Sequence, residues 1–318
     1  MELSNLELRI IRYGLENGLL ESEREIAKKL RISPSTFSFK MRKLEDKGII
    51  TTYRYRIDFT KLGFTKIAWI RFRPEYGKHS MEEYMQKILE NPQVHVCAFT
   101  SGSKNFAIKV YAKSIQEIKE ITKKIGKEHN ANKNIETIII TKQLKAHNLK
   151  ISEQKSQIKF DEKHYEILSK KMQNPKQSII EIAKELNLHR NTITKKWKEM
   201  IDNKIILKKT PIINPEFYRQ IGIHCMAMHI FTPKKGMLDK LSQQLLEMKE
   251  VHELNETKDK KLLAIIRTND LGSYFKITSE FLSKKKISKC IQKSLFNIII
   301  TSDSRRPTYL KDLKKSKV

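Results

Sequence analysis

Glu25–Ile50 reads EIAKKLRISPSTFSFKMRKLEDKGII, and about 156 residues further on Glu181–Ile206 reads EIAKELNLHRNTITKKWKEMIDNKII, aligning with it without a gap. Both stretches open on Glu, Ile, Ala, Lys and Leu, share Thr36/Thr192, Lys40/Lys196 and Asp46/Asp202, and close on an Ile-Ile pair. Self-similarity at a fixed spacing has to be read before any single element, and here it makes the chain a tandem duplication. In the first copy Ile26, Ala27 and Leu30 form one apolar stripe on a short helix that ends at Arg31-Ile32. Ser33-Pro34 restarts a helix, because Ser caps free amides and Pro suits the first helical position. Phe37, Met41 and Leu44 recur at i, i+4 and i+7 and face inward, leaving Ser35, Ser38, Phe39 and Arg42 outside, flanked by Thr36, Lys40 and Lys43. In the second copy Ile193, Trp197 and Met200 face inward, so Asn191, Thr194, Lys195 and Lys198 face out. Two helices around a tight turn, the second carrying hydroxyl, amide and basic groups, have the form of a helix-turn-helix whose second helix suits a major groove. A solvated helix on an ordinary helical core fits a single copy as well.

The 318 residues, 39% of them hydrophobic, are enough to bury real cores in about two to four domains. Against 36 acidic residues stand 64 Lys and Arg, a net charge of +28, which predicts a polyanionic partner: nucleic acid first, an anionic membrane surface second. Cys97, Cys225 and Cys290 are far apart and odd in number, offering neither a disulfide framework nor a Cys-x-x-Cys metal site, as in a reducing compartment. The start MELSNLELR has no apolar core and is no signal peptide. The most apolar run, Ile221–Phe231, is about half a membrane span and contains His224 and His229. A cytoplasmic protein without a membrane segment is expected.

Outward from the quoted stretch, Ser4-Asn5-Leu6-Glu7 has the form of a capping box, with Leu3, Leu6, Ile10 and Ile11 as the stripe of a first helix. Ile49–Phe64, IITTYRYRIDFTKLGF, is rich in β-branched and aromatic residues and predicts a two-stranded wing carrying Arg54. Lys66–Arg73, Val94–Thr100, Asn105–Tyr111 and Ile135–Thr141 read as strands, and Met81–Leu89 and Ile115–Ile125 as helices, in the order βαββαβ of a ferredoxin-like split motif. Such a sheet carries helices on one face, so something else must cover the other. The fold class is therefore α+β: winged helix-turn-helix units at 1–62 and 159–218, ferredoxin-like domains at 63–143 and 219–302, a linker at 144–158 and a basic tail at 303–318.

This order resembles the Lrp/AsnC family of prokaryotic transcription regulators, in a doubled, archaeal-looking form. The residues that carry the resemblance are Glu25-Ile26-Ala27 through Leu44, Lys47-Gly48-Ile49-Ile50, and Asp58-Phe59-Thr60-Lys61-Leu62-Gly63. It implies that the βαββαβ domains (RAM or AsnC type) pair sheet to sheet, here within one chain as a pseudo-dimer, with the outer sheet edges or the helices open to further homo-oligomers. It also implies a small-molecule effector beside the loop between the second and third strands, here Ser101, Gly102, Ser103, Lys104 and Thr257, Lys258, Asp259. Relatives that bind amino acids carry a Gly-Asp-Tyr-Asp-like turn there, which neither loop matches.

Siroheme decarboxylases resemble the same architecture and carry His-Asn-Tyr-x-Arg near one strand. Here the stretches read His95-Val96-Cys97-Ala98-Phe99 and His252-Glu253-Leu254-Asn255-Glu256, without the arginine. His224, Cys225 and His229 do not share one face of an alternating strand, so no metal site is expected. The absence of a Gly-rich phosphate loop, a Gly-x-Ser-x-Gly elbow or His-Glu-x-x-His completes an expectation of no enzyme and no cofactor. The reading is a regulator that binds double-stranded DNA through Ser35, Thr36, Ser38, Phe39, Lys40, Arg42, Lys43 and Arg54 of one copy. Arg190, Asn191, Thr192, Thr194, Lys195, Lys196 and Lys198 serve in the other, with Arg42, Arg190 and Asn191 on base edges. A tetrapyrrole decarboxylase and a DNA-coating architectural protein are the alternatives.

Overall fold

The computed structural model describes residues 2–75, 80–91, 93–131, 134–147, 149–150, 160–222 and 225–303, with backbone alone at 150 and 300–303. Most of the expected linker and all but the first residue of the expected basic tail lie outside these described residues. The chain begins with helices α1 (Asn5–Glu16), α2 (Glu23–Leu30) and α3 (Pro34–Asp46), strand β1 (Ile50–Ile57) and a 3-10 turn, Phe59–Leu62. Then come β2 (Lys66–Phe72), α4 (Met81–Glu90), β3 (Val94–Thr100), β4 (Phe106–Ala112), α5 (Ile115–Glu128), β5 (Glu136–Ala146) and β6 (Leu149–Lys150). A similar order follows, with α6 (Glu162–Gln173), α7 (Ile179–Leu186), α8 (Arg190–Asp202), β7 (Ile206–Ile213) and the single turn α9 (Tyr218–Ile221). It ends with β8 (Cys225–Pro233), α10 (Leu238–Glu247), β9 (Val251–Thr257), β10 (Leu262–Thr268), α11 (Leu271–Ser283), α12 (Lys285–Ser288) and β11 (Ile291–Asp303). The stretch expected as linker thus begins as strand: β5 runs on to Ala146, and β6 folds back on it.

Residues up to 62 and from 160 to 222 form one compact unit. Ser4, Ser22 and Ser178 each accept the amide of a Glu three residues on, and that Glu accepts the cap's own amide, so local chemistry starts α1, α2 and α7. Arg31 (φ 55°) and Asn187 (φ 49°) stop α2 and α7 in the left-handed conformation. Gly48 (φ 65°) and Lys204 (φ 54°) do the same after α3 and α8. A residue with a Cβ adopts that conformation at a cost of about 1–2 kcal/mol, so it is set by the tight turn. Phe37, Met41 and Leu44 are buried in α3, and Ile193 and Met200 in α8, as their spacing required. Trp197 is only half-buried and stands edge-on to Tyr55, ring centres 5.0 Å apart.

The expected two-stranded wings are not formed. Ile50–Ile57 runs as a single strand of 8 residues, because nothing within ITTYRYRI can reverse the chain. Its partner is β7, antiparallel, with Tyr53 opposite Pro211, Arg54 opposite Thr210 and Tyr55 opposite Lys209. The ends are stitched reciprocally: the Asp58 amide donates to the Ile205 carbonyl at 2.9 Å, and the Asn214 amide to the Ile49 carbonyl at 2.9 Å. Asp58 aligns with Asn214, and Ile49 with Ile205, in the spacing of the repeated stretch.

Residues 63–150 and 225–303 form the other unit. Its strands run β5-β2-β4-β3 in the first half and β11-β8-β10-β9 in the second, each the order of a ferredoxin-like sheet. On one face of the first, Ala68, Ile70, Phe72, Ile108 and Val110 pack under Ile88 of α4 and Ile118, Ile121 and Ile125 of α5. On one face of the second, Ala227, Phe231, Leu262 and Ala264 pack under Leu241 and Leu245 of α10 and Tyr274 and Phe281 of α11. The outer edges, one of the two routes expected for further assembly, are taken up: β3 pairs with β11 and β9 with β5, so the strands close into a ring. An uncovered edge is a row of unmet donors and acceptors, and each half covers the edge of the other.

Polar side chains are buried on these strands. Lys109 Nζ lies 2.7 Å from a carboxylate oxygen of Glu253, which also accepts the Asn255 side-chain amide at 2.7 Å. Burial pulls the Lys109 ammonium down, but Glu253 beside it holds it above its ordinary value. The Lys109 ammonium also stands 5.9 Å from the centre of the Trp69 ring and 5.4 Å from that of Tyr111.

Residues 1–150 expressed alone would bare the edges that β7, β9 and β11 cover. That fragment is expected to self-associate through β1 and its open sheet edges, and a stable monomer by sedimentation would contradict the exchange of strands.

Candidate nucleic-acid interface

Helices α3 and α8 each bury one face and leave the other open. Ser35, Phe39 and Arg42 are exposed on α3, and Arg190, Asn191, Thr194, Lys195 and Lys198 on α8. The side chains of Arg42, Arg190, Asn191, Lys195 and Lys198 make no hydrogen bond or ion pair among the described residues. Cationic and amide groups of this kind, side by side on an exposed helix face, can meet phosphates and the acceptor-rich edges of bases.

Most of the hydroxyls expected beside them are hydrogen-bonded within the protein. Ser33 Oγ caps α3 by accepting the Thr36 amide at 3.0 Å, and it lies 2.7 Å from Thr36 Oγ1 and 2.9 Å from Ser35 Oγ. Ser38 donates to the Glu23 carboxylate and, at 3.0 Å, to the Pro34 carbonyl. Thr194 donates to the Arg190 carbonyl at 3.1 Å, and His189 takes the place of Ser33, its Nδ1 accepting the Asn191 amide at 3.3 Å. Thr192 and Lys43 are half-buried, and Arg54 is half-buried within the strand pair instead of at a wing tip.

Lys40 and Lys196 turn inward. Lys40 Nζ reaches Glu7 at 3.2 Å, and Lys196 Nζ reaches Asp161 at 2.6 Å, with only 20% and 16% of the two lysine side chains exposed. Both carboxylates belong to the caps that start α1 and α6, so each lysine ties its exposed helix to the first helix of its own half. His164 adds to the second tie, its Nδ1 2.7 Å from Asp161 and its Nε2 3.1 Å from Glu199. The sequence held the signal for the first of these, since the capping box already placed Glu7 at a helix start. Lys40 and Lys196, identical in the two stretches, make the same kind of tie.

In the other unit the candidate effector loops are fastened down. Ser101 donates its amide to the Ile298 carbonyl at 2.8 Å, and its Oγ accepts the Ile298 amide at 2.9 Å. Asn297 donates to the Ser101 carbonyl at 2.5 Å, and a Cβ on Gly102, whose φ is +95°, would meet the Asn297 amide at 2.4 Å. Lys104 and Arg71 share Glu136, at 3.1 and 3.4 Å. At the second loop the Thr257 hydroxyl donates to Asp259 at 2.6 Å and the Lys258 amide to the Ile139 carbonyl at 2.9 Å. His95 stands edge-on to Tyr111 at 5.3 Å, and His252 to His147 at 6.0 Å. Cys225 and His229 both sit on β8, while His224 lies outside the described residues. Among the described residues no three His, Cys, Asp or Glu side chains group as a metal site would require, and no helix is long and apolar enough to cross a membrane.

The helix-turn-helix order and the ferredoxin-like sheet of the first half each match a known domain family. Residues 3–51 match the winged helix-turn-helix DNA-binding family and residues 67–149 the Lrp/AsnC ligand binding domain. The chain is 33% identical over 121 residues to the HTH-type transcriptional regulator LrpA of Pyrococcus horikoshii, covering 37% of this chain and 83% of that protein. It is 31% identical over 140 residues to an uncharacterized HTH-type transcriptional regulator of Pyrococcus furiosus, covering 44% of this chain and 92% of that one. The chain belongs to the Lrp/AsnC family.

Among solved structures, the siroheme decarboxylase NirDL matches with a TM-score of 0.60 at 13% identity, over 98% of this chain and 99% of that one. Its co-complex with an iron-uroporphyrin III analogue matches with a TM-score of 0.58. This corrects the expectation that the chain is no enzyme. A fold shared with an enzyme along nearly the whole chain conflicts with that exclusion, which rested on the absence of short motifs, at His95 and His252 among other places.

The lysine ties predict an acid limb of stability. Burial raises the Glu7 carboxyl, but hydrogen bonds from Ser4 and Lys40 outweigh it and hold the group at about 2, below its ordinary 4.5. Asp161 is likewise raised by burial but held at about 2 by Lys196 and His164. Both groups are depressed in the folded state, so their contribution is full above the ordinary carboxylate range and is lost as pH falls toward 2. In urea titrations at successive pH values, Glu7→Gln with Asp161→Asn should flatten that loss. An unchanged acid limb would show that the ties do not contribute.

Proposed function

We propose that this protein is a sequence-reading transcription regulator of Lrp/AsnC type that binds double-stranded DNA through two non-identical recognition helices, α3 and α8, of one chain. The observation that carries the reading is the reciprocal pairing of β1 with β7, which holds both exposed helices in one compact unit. On this reading the halves arose by duplication, with domain limits at 1–62, 63–143, 159–218 and 219–302, and the chain forms the pair that two single-repeat chains would form. Phosphate contacts from exposed Lys and Arg supply most of the affinity, and Arg42, Arg190 and Asn191 read base edges. A small-molecule effector acts through the loops around Ser101–Lys104 and Thr257–Asp259.

The reading predicts a steep salt dependence, with displacement of about five to ten counterions. Lys195→Ala with Lys198→Ala should lower the slope of log affinity against log salt by about two, roughly one per phosphate contact removed. Glu82→Ala, on α4, should leave it unchanged. A flat salt dependence for the unaltered chain, measured by fluorescence anisotropy on duplex DNA, would sink DNA as the partner.

The second reading is tetrapyrrole chemistry, favoured by the fold shared with a siroheme decarboxylase over 98% of this chain. Incubation of the purified chain with siroheme under anaerobic conditions tests it. A changed pigment spectrum would support the enzyme, and an unaltered one would speak against it.

A further inference from the structure

Phe39 is 60% exposed, the most exposed large hydrophobic side chain among the described residues, and it stands at the middle of the open face of α3. Its neighbours along that face, one turn before and after, are Ser35 and Arg42. The Ser35 hydroxyl lies 2.9 Å from the cap oxygen of Ser33, which leaves an aromatic ring and a guanidinium as the groups facing outward. In the repeated stretch Asn191, Lys195 and Lys198 occupy the corresponding places on α8, all three exposed. The two faces thus have the same layout with an apolar ring in one and an ammonium in the other.

A phenyl ring offers no hydrogen bond to a base edge. What the major groove offers an apolar group is the C5-methyl of thymine, whereas an ammonium takes the acceptors of guanine or a phosphate oxygen. We propose that Phe39 reads a thymine methyl in the half-site of α3, while Lys195 takes a hydrogen-bond acceptor at the corresponding place in the half-site of α8. The proposal rests on the DNA-binding reading above and deepens it, because it makes one half-site thymine-dependent at a position where the other is not. Phe39 is exposed on a helix whose buried side chains are Phe37, Met41 and Leu44, so its replacement removes no core side chain.

The test selects bound duplexes from a random-sequence pool with the full chain and then replaces each thymine of the selected site by deoxyuridine, which removes only the C5-methyl. For the unaltered protein, one position in one half-site should lose on the order of fourfold in affinity, the worth of one buried methyl-sized group. Phe39→Ala should bind with an unchanged salt slope and show no loss at that position. Lys195→Phe, carried through its own selection, should gain a methyl-sensitive thymine in the other half-site. Methyl sensitivity that persists at the same position in Phe39→Ala, or that appears nowhere in the unaltered protein, would overturn the proposal while leaving the DNA-binding reading standing. Failure of the chain to select any sequence would overturn both.

Discussion

Backbone hydrogen bonds must be made somewhere, and in this chain the strand β1 can make them only with a segment far away in sequence. Ile50–Ile57 has no hairpin partner of its own, so its amides and carbonyls are met by β7, with the Asp58–Ile205 and Asn214–Ile49 bonds closing the two ends. Everything at the candidate interface depends on that exchange, because α3 leads directly into β1 and α8 into β7. The same constraint recurs in the other unit, where β11 covers β3 and β5 covers β9. Neither half can be taken away without leaving the other with open strand edges.

Inside the ring of strands the buried Lys109–Glu253 pair joins a strand of the first half to one of the second. Such a pair adds little over apolar side chains of the same size, since desolvating both ions offsets their attraction. Losing one partner is another matter, at about 3–5 kcal/mol for an uncompensated buried charge. A shifted register between the halves would part Lys109 from Glu253 and leave a buried charge without its partner.

Much of this was legible in the sequence, for a physical reason. The inward positions Phe37, Met41 and Leu44, the Ser4 capping box and the βαββαβ order all follow from local periodicity and capping, which a sequence carries on its face. The partner of β1 does not, because alternation tells which face of a strand is buried and nothing about which strand lies beside it. Lys40 and Lys196 were misplaced for a related reason, since position on a helix gives a direction but not the carboxylate that a flexible side chain finds there. The missing arginine near His95 and His252 speaks against one arrangement of site residues and not against every enzyme, because a single fold carries many chemistries.

On the duplicated-chain reading, the backbone keeps a twofold pattern that the side chains have left. In a dimer of identical chains a position beside the axis lies near its own copy, so an aromatic there meets an aromatic and a lysine a lysine. Tyr53 and Lys209 are corresponding positions of the two halves, and the Lys209 ammonium stands 4.4 Å from the centre of the Tyr53 ring, a cation–π contact that identical partners could not make. Lys176 adds a second cation 5.8 Å from the same ring while pairing with Glu45 of α3, which also accepts the Tyr53 hydroxyl. Two lysines at the Tyr53 and Lys209 places would repel, and two tyrosines there would lack the cation that stands over the Tyr53 ring. Joining the halves in one chain is what allows unlike residues to meet at an axis of like backbone, and the same freedom places Phe39 on one exposed helix and Lys195 on the other.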